Sequence, residues 1–283
     1  MKHKQIFFLI TGILVFLPAV CSAQLERERV VTSSPVEDTF WATKNVGIST
    51  IVNPSGNDLH SSVLHTFGLV DGGLDRFFGL DDGANTRLGL IYGITDRVSI
   101  GLGRMTFQKV VDISTKINML RQTTDGSVPF SVAIKGATGI STLSGIRLEF
   151  SDRLSYFTSV MIARKFNGFS LQLSPMYSHF NRVAGLAQKD LFGLGVLVNV
   201  ELNERFAVSG EYLPVFGDRN PGTEDAMAIA LNINTGGHVF QIFFASSQWH
   251  NEQFIMANNE HRFWEGDFRF GFNIHRVFGL GGR

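Results

Sequence analysis

Residues 86–103, with the sequence TRLGLIYGITDRVSIGLG, decide the fold. Large apolar side chains occupy every second position before and after a short turn at 94–97, and most positions between them carry glycine, serine or arginine. Because successive side chains of a strand point to opposite faces, this pattern predicts a β-hairpin with one apolar face and one face of small or polar residues.

The same alternation recurs from residue 59 to residue 278 in segments of roughly ten residues, which is typical of transmembrane strands. Short turns alternate with longer polar loops. The short turns fall near 94, 165, 201 and 235, and the longer loops fall at 68–85, 142–152, 181–190, 216–225 and 248–265. The sequence therefore predicts an all-β fold, a transmembrane antiparallel up-and-down β-barrel of about 12 strands, or 14 if residues 45–53 add a further pair.

Aromatic residues reinforce this prediction, because they fall at two levels of the predicted wall when the short turns are placed in the periplasm. The inner level comprises Tyr92, Phe130, Phe169, Phe206 and Phe278, and the outer level comprises Tyr156, Tyr177, Phe192, Tyr212 and Phe268. Two aromatic girdles of this kind border the apolar band of outer-membrane barrels.

The N-terminus predicts export. Residues 1–23 combine Lys2 and Lys4, an apolar stretch and a Cys-Ser-Ala end, which is the pattern of a cleavable signal peptide. Residues 24–58 form a lead segment that could include a strand, and residues 59–283 form the predicted barrel. Cys21 is the single cysteine of the chain, so the exported protein is expected to have no disulfide and no thiolate metal site.

Composition separates a membrane barrel from a soluble one. The net charge is zero, charged residues make up 18% of the chain, and there are 30 glycines and 26 phenylalanines. A chain without net positive charge gives no indication of nucleic-acid binding. The outer face of a soluble sheet should carry more charged residues than this chain has. The expected partners are therefore outer-membrane lipid and, during insertion, the barrel-assembly machinery, which would meet an aromatic-rich last strand.

Several stretches resemble an uncharacterised family of outer-membrane β-barrel proteins found mainly in Bacteroidota, a domain of unknown function. They are Phe77 to Asp81 (FFGLD), Arg87 to Arg104 (RLGLIYGITDRVSIGLGR), Arg153 to Pro175 (RLSYFTSVMIARKFNGFSLQLSP), Thr235 to Phe240 (TGGHVF) and Gly266 to Phe278 (GDFRFGFNIHRVF). The resemblance implies a barrel in the bacterial outer membrane and implies no activity.

Polar and charged residues on the small-residue face are the candidates for a functional lumen. They are Asp112, Lys116, Lys135, Gln172, Glu211, Gln241 and Arg269. Opposed charges on an inner wall can set the ion selectivity of a pore, and they can equally neutralise one another and help to close a narrow interior. The leading hypothesis is a channel or transporter for small solutes, and the alternative is a non-conducting barrel that presents the loops 68–85 and 248–265 for structure or interaction.

Other chemistry has weaker support. His250 and His261 lie in loop 248–265 without metal-ligand spacing, and an external loop whose aromatics approach the membrane interface explains them better. Asp71, Asp75, Asp81 and Asp82 could coordinate calcium, but their spacing departs from the EF-hand pattern. An outer-membrane lipid hydrolase is the enzyme alternative, but no nucleophile motif surrounds any serine. The sequence thus predicts no enzyme, no metal site and no cofactor.

Overall fold

The computed structural model describes residues 33–144 and 148–280, so the predicted signal peptide at 1–23 lies outside the described residues. The described part of the chain contains one sheet of 13 strands. The strands are β1 (Asp58–Leu69), β2 (Ala84–Gly93), β3 (Val98–Met105), β4 (Val110–Leu120), β5 (Ser131–Ser141), β6 (Leu154–Lys165), β7 (Phe169–Phe180), β8 (Asp190–Glu201), β9 (Phe206–Leu213), β10 (Val215–Phe216), β11 (Ala226–Asn234), β12 (His238–Ala245) and β13 (Arg269–Gly279).

The sheet closes on itself. Each long strand pairs antiparallel with the next, and β1 pairs with β13 through positions such as Val63 opposite Ile274. The two-residue strand β10 continues along β8 after β9. The result is a closed antiparallel barrel of 12 strands with one short extra strand, which confirms the predicted fold class and the lower of the two strand numbers.

Burial alternates along the strands as the sequence pattern predicts. In β6, every second residue from Ser155 to Ala163 is buried, and the residues between them are exposed on the outside. Large apolar side chains such as Leu88, Leu102 and Ile113 are more than half exposed on the outer wall. A wall of this kind suits hydrocarbon, because closure of the barrel pairs the backbone N–H and C=O groups of every strand. The apolar side chains are then free to face lipid.

The two ends of the barrel differ. Turns of three or four residues join β2 to β3, β6 to β7, β8 to β9 and β11 to β12 at one end, which we call the short-turn end. The long-loop end carries a 3-10 segment (Val70–Asp82) and the helix α1 (Glu252–Asn258). No helix in the described ranges is both long and apolar enough to cross a membrane.

Residues 39–53 lie inside the barrel, and we call them the plug hairpin. Lys44 and Ser49 pair as an isolated antiparallel bridge, and the amide of Asn45 donates to the carbonyl of Ile48 across the tip. The prediction that residues 45–53 could add a wall strand is wrong, because their main chain bonds to wall side chains and to itself instead of to a strand of the wall.

Apolar contacts also hold the plug hairpin. Phe40, Ile48 and Ile51 are each at most 4% exposed and pack in one cluster with wall residues such as Leu197 and with Ile255 of α1. Burying an apolar side chain of this size stabilises by about 1.5–3 kcal/mol. The interior therefore combines a packed apolar cluster with the polar contacts described below.

If the outer wall faces lipid, a charged side chain should destabilise the barrel more in the middle of a strand than in a turn. Leu102 lies near the middle of β3 and is 52% exposed, so Leu102→Arg should lower the free energy of unfolding in phospholipid vesicles by about 2–4 kcal/mol. Leu202→Arg, in the turn after β8, should cost about 0–1 kcal/mol because it lies near the interface. Urea unfolding of both variants measures the difference, and equal costs would contradict the membrane-facing assignment.

Candidate functional site

Glu252 joins three parts of the molecule in the centre of the barrel. Its carboxylate accepts hydrogen bonds from Lys135 of β5 at 2.8 and 3.1 Å and from the amide of Ser49 in the plug hairpin at 3.0 Å. Lys44, also in the plug hairpin, lies 3.3 Å from the same carboxylate. Glu252 is 2% exposed and belongs to α1, so one buried charge connects the long loop, the plug hairpin and the wall.

The wall binds the main chain of the plug hairpin through long polar side chains. Glu211 of β9 accepts hydrogen bonds from the amides of Gly47 at 2.8 Å and Ile48 at 3.3 Å. Gln172 of β7 accepts from the amide of Ile51 at 2.7 Å and donates to the carbonyl of Ser49 at 2.9 Å. These bonds satisfy buried peptide groups that would otherwise be costly.

Lys116 of β4 also binds the main chain of the plug hairpin. Its ammonium donates to the carbonyl of Thr50 at 2.9 Å and to that of Val52. Asn118, two residues further along β4, donates to the carbonyl of Ile51 at 3.3 Å. One strand thus binds three successive carbonyls of the returning arm of the plug hairpin.

An amide cluster surrounds Asn45 at the tip of the plug hairpin. Ser209 donates to the side-chain oxygen of Asn45 at 2.8 Å, and Gln241 lies 3.5 Å from the same oxygen. Asn273 donates to the main-chain carbonyl of Asn45 at 3.3 Å and to Gln241 at 2.9 Å. These wall residues come from β9, β12 and β13, so the tip is bound by one continuous third of the wall.

Charged residues nearer the long-loop end bind one another. Arg87 of β2 contacts both carboxylate oxygens of Asp112 at 2.6 Å, and Asn251 donates to the same carboxylate at 3.3 Å. Arg269 is 6% exposed at the start of β13. Among the described residues, no hydrogen bond or ion pair joins Arg269 to the plug hairpin.

The plug hairpin enters and leaves through the short-turn end. Pro35 pairs with Thr123 in the turn after β4, and the Lys165 ammonium donates to the carbonyl of Asp38 at 3.0 Å. In the same turn, hydrogen bonds from Thr123 and Ser127 lower the pKa of Asp125 to about 2, so this carboxylate is ionised at neutral pH.

A family model for membrane-bound β-barrels matches residues 40–278, which cover the plug hairpin and the barrel except for one residue at each end. The chain belongs to the Membrane bound beta barrel domain (DUF5777) family. The family resemblance noted from the sequence is thereby confirmed. No curated protein matches the sequence significantly.

Solved outer-membrane proteins share the fold at low sequence identity. An outer membrane channel from Pseudomonas putida F1 is 11% identical, with a TM-score of 0.52 over 80% of this chain and 96% of that one. The NanC porin is 11% identical with a TM-score of 0.48 over 78% and 97% of the two chains. Outer membrane phospholipase A from Escherichia coli is 10% identical with a TM-score of 0.42 over 78% and 91%. At 11% identity, the likeness to the Pseudomonas putida channel concerns the barrel fold alone.

The seven residues proposed for the lumen all have side chains on the inner wall. Lys116, Gln172, Glu211 and Gln241 contact the plug hairpin, while Lys135 contacts both Ser49 and Glu252. Asp112 and Arg269 lie on the same wall, and no hydrogen bond or ion pair among the described residues joins them to the plug hairpin. The side chains of these residues therefore surround a segment of the same chain.

The interpretation of 248–265 as an external loop is wrong for its first half. Residues 250–257 are buried in the barrel, and the His250 ring nitrogen lies 3.1 Å from the carbonyl of Asn85. Burial follows from the apolar run Phe254-Ile255-Met256-Ala257, which packs against the plug hairpin and the wall. Within the described residues, no three acidic, histidine or cysteine side chains cluster as metal ligands would.

Sequence reasoning missed Lys44, Arg87 and Glu252. Glu252 lies beside that apolar run in a segment expected to be a polar loop, and the run was a usable sign of burial. Arg87 alternates with glycines on the inward face of β2, so its strand parity already pointed inward. Lys44 had no such sign, because its role depends on partners far away in the sequence.

Removing the carboxylate of Glu252 should lower the free energy of unfolding of the barrel. Glu252→Gln leaves Lys44 and Lys135 buried without their counter-charge, and breaking a buried pair in this way costs about 3–5 kcal/mol. Urea unfolding of the folded barrel measures the loss. Glu224→Gln removes an equal charge at the surface, beside Arg262, and should change the free energy of unfolding little. Equal effects of the two substitutions would contradict the central role of Glu252.

Proposed function

We propose that this protein is a gated outer-membrane channel for small solutes, closed in the described structure by the plug hairpin. The observation that carries the proposal is the chemistry of the contact between plug and wall. Glu211, Gln172 and Lys116 bind the plug main chain through polar groups that water can also bind. Withdrawal of the plug would therefore leave a wall that water can wet, which a conducting lumen needs.

The location proposed is the bacterial outer membrane, reached by export with a cleavable signal peptide at 1–23. The closed barrel, its apolar outer wall and the difference between short-turn and long-loop ends support this location. With the short turns in the periplasm, the plug hairpin enters from the periplasmic side. An origin in Bacteroidota stays a prediction of the sequence resemblance.

The second candidate is a permanently closed barrel with a structural or interaction role. The apolar cluster of Phe40, Ile48 and Ile51 and the buried charges around Glu252 favour it, because both make withdrawal of the plug costly. Of the two loops suggested for presentation, residues 70–82 expose Leu74 and Phe77, whereas residues 250–257 are buried. An interaction role would therefore use the first loop and the outer half of the second.

We propose no enzymatic role. The His179 ring nitrogen lies 2.7 Å from the Asp190 carboxylate on the outer wall. In a hydrolase triad, a carboxylate in this position orients the histidine that acts as the general base. In the described ranges, the hydroxyl beside this pair is that of Tyr177, which donates to Asp190 at 2.6 Å, and no serine hydroxyl is bonded to His179. A lipid hydrolase would need a nucleophile at that ring.

Conductance in planar bilayers tests the gate. The double variant Glu211→Ala/Gln172→Ala removes the wall partners of three plug amides, each of which costs about 1–3 kcal/mol when left unsatisfied. Since about 1.4 kcal/mol corresponds to a tenfold change in an equilibrium, the open fraction should rise at least tenfold over wild type. The wild-type barrel should stay closed for most of the recording.

The matched control replaces the same residue types in loops, Gln188→Ala/Glu224→Ala, and should leave conductance unchanged. Ala42→Cys in a Cys21→Ser background reports the plug position independently, because Ala42 is 6% exposed and should react with a soluble maleimide only when the plug leaves. If the double variant makes Ala42→Cys reactive while the bilayer stays silent, the channel proposal is contradicted and the closed-barrel role is favoured.

A further inference from the structure

The interior contains one cavity with an unusual charge balance. It has a volume of about 50 Å³ and lies between the plug hairpin, α1 and the wall. Its lining includes four cationic side chains, Lys44, Arg87, Lys116 and Lys135, but only two acidic ones, Asp112 and Glu252. Arg87 and Asp112 neutralise each other as a bidentate pair, so the excess positive charge lies on the three lysines.

Two of these lysines face each other. Lys116 of β4 is directly opposite Lys135 of β5 in the strand register, and both side chains point inward. Like charges in this arrangement repel and destabilise the sheet unless a negative charge compensates them. Glu252 compensates Lys135 but is shared with Lys44. Among the described residues, the ammonium of Lys116 contacts main-chain carbonyls and no carboxylate.

An unused donor lines the same cavity. Gln253 is 1% exposed, and no protein acceptor within the described ranges reaches its side-chain nitrogen. Buried amide donors are nearly always paired, so an unpaired one at a cavity indicates a further acceptor. The hydroxyls of Ser62 and Ser114 also line the cavity and can donate.

The size of the cavity limits the ligand. A water molecule needs about 10–15 Å³ of such volume, so about 50 Å³ accommodates one small ion with part of its hydration shell. A sugar or a sugar acid such as gluconate would not fit. Cations are disfavoured by the three lysines, and a neutral molecule would leave the excess charge uncompensated.

We propose that this cavity is a binding site for a small inorganic anion of halide size, held between Lys116, Lys135 and the side-chain amide of Gln253. The anion compensates the facing lysines and so stabilises the plugged state. The site does not require the lumen to conduct, because it is formed in the closed barrel. A barrel that never opens would bind the anion equally well.

Bromide is the probe for this site. The unfolding midpoint of the purified, folded barrel is measured in sodium bromide and in sodium gluconate at constant ionic strength, since gluconate is too large for the cavity. We expect a saturable rise of about 2–4 °C in bromide alone, which corresponds to binding at concentrations several times the dissociation constant. Anomalous diffraction from crystals grown in bromide should show a peak between Lys116 and Lys135.

Two variants separate a built site from a general salt effect. Lys116→Met removes the uncompensated charge and Gln253→Glu places a carboxylate in the cavity, so both should lose the bromide-dependent rise and the anomalous peak. Lys189→Met removes an exposed lysine in a loop and should retain both. The proposal is overturned if wild type shows no peak in the cavity, or if all four proteins respond to bromide alike.

Discussion

The width of a 12-strand barrel is the constraint on which the rest of the structure depends. A barrel of about eight strands can be filled by its own inward side chains, and a wider one leaves space along its axis. In this chain many inward positions carry serine, glycine or alanine, as in β5 and β7, and these residues widen that space further. Two segments of the same chain fill it, the plug hairpin from the short-turn end and residues 250–257 from the long-loop end.

The contact between these two segments explains why the closed state is specific. Apolar packing alone would allow the plug hairpin to slide, whereas the carboxylate of Glu252 accepts directed bonds from Ser49, Lys44 and Lys135. Burying charges is costly and is offset only when their geometry is satisfied, so a shifted plug would leave charges unpaired. The same polar chemistry makes the wall compatible with water, which is the physical basis for proposing a gated channel over a permanently filled barrel.

The wall was predictable from the sequence and the interior was only partly so. Alternation along a strand is a local property, so the inward direction of Lys116, Gln172 and Glu211 followed from their parity with apolar neighbours. The plug hairpin has the local pattern of a strand pair, and whether such a pair joins the wall or enters the lumen depends on partners more than 100 residues away, such as Gln172 for Ile51. The apolar run at 254–257 was a local sign that this segment is buried, but no local pattern connects Glu252 to its partners Lys44 and Lys135.

Amide hydrogen exchange of the plug hairpin in lipid bilayers tests the central claim most directly. The amides of Gly47, Ile48, Ser49 and Ile51 are bonded to buried wall and loop side chains, so they should exchange on the slow timescale of strand amides in β7 and β9. In the turn at 202–205, the exposed amide of Glu204 has no hydrogen-bond partner among the described residues, so it provides the fast reference. Exchange of the plug amides as fast as that turn would show that residues 39–53 do not occupy the lumen, and would contradict the account.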